Sequence, residues 1–130
     1  MIRLKVIARA RWSLYALCSS RGDCPLEKFL GDLRELGKDK DRMLRRLEAM
    51  AQFGPEYLPG ISHQIDGEIW QTEQGRIRVL WFYDRGRVIV CSHGFVKRTQ
   101  KTPEREKNAA RQALADYKLA KANHGLTYED

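Results

Sequence analysis

From residue 26 the apolar positions fall on a helical period. Leu26, Phe29, Leu30 and Leu33 stand at i, i+3, i+4 and i+7, one stripe of an amphipathic helix. Pro25 suits the first helical position, where its missing N–H costs nothing, and Gly37 reads as the stop. A second stripe follows in Leu44, Leu47 and Ala51 with Met43 and Met50. Asp39 or Asp41 can cap it, and "FGPEYLPG" closes it with Gly54, Pro55, Pro59 and Gly60. Two such helices on a short loop predict an antiparallel helical hairpin. From residue 65 the period becomes that of strands. "EIWQTE", "RIRVLWFYD" and "RVIVCSHGF" predict a three-stranded meander with turns at Gly75 and "DRG". After Pro103 the helical period returns in Ala110, Ala113, Leu114 and Tyr117, with Thr102 placed to cap. Ahead of all these, "RWSLYALCSS" reads as a strand over 12–18, which "LKVIA" can extend upstream.

The order β, α, α, β, β, β, α reads as an α+β fold, with an antiparallel sheet packed against an N-terminal helical hairpin and a C-terminal helix. A chain of 130 residues fits one domain, 1–130, with its core over about 12–120 and a frayed tail over 121–130. The 32% of charged residues predicts a soluble protein. No apolar run approaches the ~20 residues of a membrane span. "MIRLKVIARAR" has no unbroken apolar stretch of a signal peptide. Cys18, Cys24 and Cys91 are odd in number and lack CxxC spacing, so reduced thiols in the cytoplasm are expected, with neither a disulfide framework nor a metal site. The net charge of +7 favours an anionic partner, which charge alone does not identify as nucleic acid, acidic protein or membrane surface.

The chemistry gathers where the meander ends. "HGFVKRTQKTPEREKNAARQAL" carries Lys97, Arg98, Lys101 and Arg105 between a strand end and a helix start. A loop of two or four residues centred on Arg85-Gly86 pairs Tyr83 with Val88, Leu80 with Cys91 and Arg78 with His93. Cross-strand partners share a face, so Arg78 and His93 are expected side by side, with Lys97, Arg98 and Arg76 at the same sheet end. A three-residue loop would flip the faces. Guanidiniums hold phosphate through paired hydrogen bonds, and fixed cations stabilise the charge that builds on a phosphodiester during cleavage. An imidazole can move the proton of the attacking or leaving oxygen. An attacking ribose 2′-hydroxyl would make RNA the substrate, with no metal or cofactor required. The bland counterparts are a sheet-rim arginine, a strand-end histidine and a solvated basic loop. His63 falls in a loop bounded by Pro and Gly, outside the site. Trp70 and Trp81 fit the core.

"IRVLWFYD…VIVCSHGFVKRTQKTPEREKNAARQAL", following "LEKFLGDL", resembles the HigB-like, phage-derived branch of the RelE/ParE toxin superfamily over roughly residues 12–120. The resemblance implies a RelE-like fold and a toxin encoded beside an antitoxin, commonly of the helix-turn-helix type. It also implies metal-independent endoribonuclease cleavage of mRNA, commonly ribosome-bound. Arg78 matches the strand arginine that binds the scissile phosphate, and Arg98 matches the arginine that stabilises the transition state. Lys97 matches the basic residue beside it, with Arg76 and Lys101 as further RNA contacts. "WQTE" replaces the W-E-L-R of many relatives, putting Gln71 and Glu73 at those positions. The tyrosine that some relatives carry after "KR" is absent. His93 is then the remaining candidate for acid–base work. The alternatives are a ParE-like protein that binds gyrase and a catalytically silent phage-derived relative.

Overall fold

The computed structural model describes residues 1–129. Over these residues the elements run β1 (Ile2–Arg9), β2 (Ser13–Ser19), α1 (Pro25–Asp32), α2 (Gly37–Phe53) and β3 (Ser62–Asp66). They continue with β4 (Ile69–Gln74), β5 (Ile77–Asp84), β6 (Val88–Val96), α3 (Glu104–Ala122) and β7 (Leu126–Glu129). All the strands join one sheet in the order β3-β4-β5-β6-β2-β1-β7. The α+β class holds, but the sheet is mixed where an antiparallel one is expected. β2 lies parallel to β6, and β1 parallel to β7. Parallel neighbours need a long crossover, which α1, α2 and the meander supply between β2 and β6.

The sheet separates two cores. Alternate residues of a strand point to opposite faces. On one face Ile77, Val79 and Trp81 of β5 pack with Leu26 of α1 and with Met43, Leu47 and Met50 of α2. On the other, Phe82 meets Tyr117 of α3, and Leu80 meets Ala110 of α3. Trp81 is fully buried and its indole N–H donates to Thr72 Oγ1 at 2.8 Å, which satisfies the one polar atom that its burial would otherwise strand.

The expected N-terminal helical hairpin is replaced by two helices laid side by side on the sheet. α1 packs on β6 and β2, and α2 on β1 and β4. Each helix spends its apolar stripe on strands, so little is left for a mutual interface. Gly37 opens α2 and does not close α1, because the corner is made by Leu36 in the left-handed region at φ 59°. Neither Asp39 nor Asp41 caps α2. Asp39 instead accepts a hydrogen bond from Gln74 at 3.2 Å. Leu44, assigned to the buried stripe, is exposed.

Four further expectations change. "LKVIA" belongs to a separate strand, β1, which turns into β2 through Arg–Ala–Arg–Trp, with Ala10 N–H donating to Trp12 C=O at 2.9 Å. The segment holding His63 is the edge strand β3. The tail assigned to fraying completes α3 and adds β7 to β1, with Asp130 outside the described residues. Thr102 does not cap α3; Pro103 occupies that position, and the Thr102 hydroxyl donates to Gln71 Oε1 at 2.8 Å.

Cys18 and Cys24 form a disulfide, where reduced thiols are expected. The turn Ser19–Asp23, closed by Ser19 N–H to Asp23 C=O at 2.8 Å, folds the chain back and brings the two sulfurs together. Cys91 is free and buried, and burial pushes its thiol up to about 12. No helix among the described residues is long and apolar enough to cross a membrane.

Candidate functional site

The β5–β6 hairpin decides which side chains meet. Its loop has three residues, Arg85–Arg87, with Gly86 at φ 82° and Arg87 at φ 59°. Asp84 therefore pairs with Val88 and Trp81 with Cys91, one residue off the expected register. A bulge at Ser92 then adds one residue to β6, so that Leu80 pairs with His93 and Arg78 with Phe95. The two one-residue shifts cancel in parity. Arg78 and His93 consequently share a face as expected, the one that α3 covers, but as diagonal neighbours and not as direct partners.

At the end of this ladder the Lys97 N–H donates to the Arg76 carbonyl at 2.7 Å, clamping the β4–β5 turn to the end of β6. Arg76, Arg78, Lys97, Arg98 and Thr99 line an open cleft of about 460 Å³. Four cations thus converge from a turn, a strand and the segment after β6. The side chains of Arg76 and Lys97 make no hydrogen bond or ion pair among the described residues, which leaves both cations open to a ligand.

Arg78 is the fixed member of the group and is buried. One terminal nitrogen donates to the carbonyls of Gly75 at 2.6 Å and Ile77 at 3.1 Å, and the other lies 2.9 Å from Glu73. Its Nε is buried with no partner, an uncompensated donor of the kind that marks functional positions. Gly75 sits at φ 56°, and a Cβ there would overlap the Asp39 carboxylate. Its lack of a side chain lets the turn close under Arg78 and aim its carbonyl at the guanidinium.

Arg98 is held more loosely. Its guanidinium lies 3.1 Å from Glu35, and both side chains are mostly exposed. Lys101 is exposed and lies apart from the cleft lining, where its carbonyl accepts the Thr99 hydroxyl at 2.8 Å.

His93 lies beneath α3. Its Nδ1 is 2.8 Å from Ser92 Oγ, and its Nε2 is 3.2 Å from Glu106 Oε1. Burial drives the imidazole below its ordinary range, and Glu106 opposes this only in part. His93 also helps line a separate groove of about 860 Å³ that is walled by Phe29 and Leu33 and shared with Arg98. Gly94 makes that packing possible, since a Cβ there would come within 2.6 Å of the Phe29 ring.

Sequence reasoning left His63 and Glu73 outside the site. Across β3, β4 and β5 they align with Arg78. Glu73 Oε2 lies 3.1 Å from His63 Nε2, and Glu73 Oε1 lies 2.9 Å from Arg78. The available signal was the alternation that puts residues 71, 73, 78 and 80 on one face. The polar stretch "ISHQID" hid the strand that adds His63. Among the described residues no three His, Cys, Asp or Glu side chains gather as metal ligands.

The family model described as Phage derived protein Gp49-like (DUF891) matches residues 31–115. That span holds α2, the strands β3 to β6 and most of α3, and with them every residue that lines the cationic cleft. No curated protein sequence matches the chain. With more than half of its length matched, and the whole cleft within the match, the chain belongs to the Gp49-like family of phage-derived proteins.

Proposed function

We propose that this protein is the toxin of a type II toxin–antitoxin pair, a metal-independent endoribonuclease that cleaves mRNA on the ribosome. The family is toxin-like, and the reading rests chiefly on the cleft of Arg76, Arg78, Lys97 and Arg98. In this reading Arg78, fixed by two carbonyls and Glu73, meets the scissile phosphate. Arg98 leaves Glu35 to meet the charge that builds in the transition state, a small change because the pair is solvent-exposed. Arg76 and Lys97 hold flanking phosphates as open point charges, with Lys101 further along the RNA. His93, the acid–base residue suggested by the sequence, has both nitrogens engaged, so any proton transfer by it needs Glu106 or Ser92 to yield.

The natural partner is an antitoxin, of helix-turn-helix type, with an acidic segment that covers the basic surface. The cytoplasm, where ribosomes are, is the compartment. One observation favours the silent-relative reading, since Arg78 and Arg98 are already neutralised by Glu73 and Glu35.

Expression of the chain alone should arrest growth, and the purified protein should cut ribosome-bound mRNA in the presence of a chelator. Arg78→Ala or Arg98→Ala should lower the cleavage rate by ~10²–10³, the usual loss for one transition-state donor. Folded variants that cleave like the parent overturn the site. A parent that binds mRNA without cutting it selects the silent relative.

A further inference from the structure

We infer that His63, oriented by Glu73, is the residue that accepts the proton of the attacking hydroxyl at the Arg78 cleft. The inference rests on the ribonuclease reading of that cleft. His63 Nε2 lies 3.0 Å from the Gly60 carbonyl and 3.1 Å from Glu73 Oε2. Both neighbours are acceptors only, a carbonyl and an ionised carboxylate, so Nε2 must carry the hydrogen. In the neutral ring this leaves Nδ1 as the acceptor. Nδ1 has no partner among the described residues, and the side chain is 49% exposed. A basic nitrogen is therefore presented to solvent, with its tautomer and orientation set from behind by a carboxylate. A positioned general base is built in this way.

The same carboxylate reaches the phosphate-binding cation. Glu73 is 31% exposed and bridges His63 on β3 and Arg78 on β5. The register makes the bridge rigid, because Glu73 pairs directly with Arg78 and His63 pairs with Gln71, two residues along on the same face. The charged groups that face the His63 ring are Glu73 of β4 and, behind it, Arg78 of β5; no ionisable side chain of α3 touches it among the described residues. His93 offers the contrast. Its side chain is 13% exposed, Ser92 and Glu106 engage both of its nitrogens, and no basic position remains open.

The step balances without a cofactor. The ribose 2′-hydroxyl gives its proton to Nδ1 of His63 as its oxygen forms a bond to phosphorus. The bond from phosphorus to the 5′-oxygen breaks, and that oxygen leaves with a proton drawn from water. The product ends in a 2′,3′-cyclic phosphate, and the imidazolium returns its proton to solvent. Arg78 meets the phosphoryl oxygens while Glu73, a positioning residue, stabilises the transient imidazolium.

The test is single-turnover cleavage of ribosome-bound mRNA against pH, with RNA affinity and thermal unfolding measured on the same samples. His63→Gln should lower the rate by ~10²–10⁴ and leave binding near the parent's. The acid limb of the rate profile should vanish with it. Glu73→Gln should lower the rate and leave RNA affinity near the parent's, because the ring loses the carboxylate that orients it. A merely structural role for His63 would leave the acid limb where it is. Near-parental cleavage by folded His63→Gln, or a reduced rate with an unchanged acid limb, overturns this inference alone. A parent protein that leaves RNA uncut overturns it together with the ribonuclease reading.

Discussion

Arg78 and Glu73 face one another across the β4–β5 ladder, a guanidinium nitrogen 2.9 Å from a carboxylate oxygen. The arginine side chain is only 10% exposed, and its second terminal nitrogen is spent on two backbone carbonyls. Such a fork is held in one orientation, and an ammonium cannot reproduce it. Arg78→Lys is therefore expected to keep the charge and still lose ~10²–10³ in single-turnover cleavage. Arg78→Ala additionally leaves Glu73 without its guanidinium partner and should cost about 1–3 kcal/mol in a denaturant melt.

Arg98 gives the opposite combination. Its pair with Glu35 is exposed on both sides, and such pairs contribute about 0–1 kcal/mol. Arg98→Ala should melt within ~0.5 kcal/mol of the parent while cleavage falls. Glu35→Ala releases the guanidinium, so RNA affinity should rise and its dependence on salt should steepen. Fluorescence anisotropy across a salt series measures both.

His93 should control stability through pH. Burial lowers the folded imidazole below its ordinary range, with Glu106 opposing in part. The unfolded chain takes up this proton near pH ~6.5 and the native chain only at lower pH. In that window the unfolded state binds more protons, so stability is fully present at alkaline pH and declines as pH drops below ~6.5. Urea melts at several pH values should show the decline, and His93→Gln should abolish that part of it. The same variant loses the contacts to Ser92 and Glu106 that tie α3 to the sheet. It should be destabilised at pH 8 by about 1–3 kcal/mol while keeping near-parental cleavage.

The disulfide closes a short loop between Cys18, near the end of β2, and Cys24, the residue just before α1. Loop-closure entropy for so few residues gives about 2 kcal/mol of stabilisation. Reductant, or Cys24→Ser, should lower stability by that amount. Thiol titration of the unreduced, denatured protein should find Cys91 but not Cys18 or Cys24.

Local pattern determined much of this protein. The stripes of α1 and α3 were legible because each buries one face against the sheet, which leaves a helical period; β5 and β6 were legible as apolar, β-rich runs between turn signals, β5 being buried on both faces. The cationic cleft was legible for a related reason. Arg76 stands in the turn two residues before Arg78 of β5, and Lys97 and Arg98 follow directly on the neighbouring strand. Elements without a buried face or a marked turn were not legible. β1 turns on Arg–Ala–Arg–Trp without glycine or proline, β3 is a polar edge, and β7 exists only because β1 offers an open edge. Tertiary structure alone decided the partners. The three-residue loop and the bulge at Ser92 are single-residue events that reverse and then restore a face. Whether the histidine near Arg78 is His63 or His93 depends on strands paired across the sheet and on a carboxylate contributed by each neighbour. Those pairings are set by packing between segments distant in the chain, and no local period carries them.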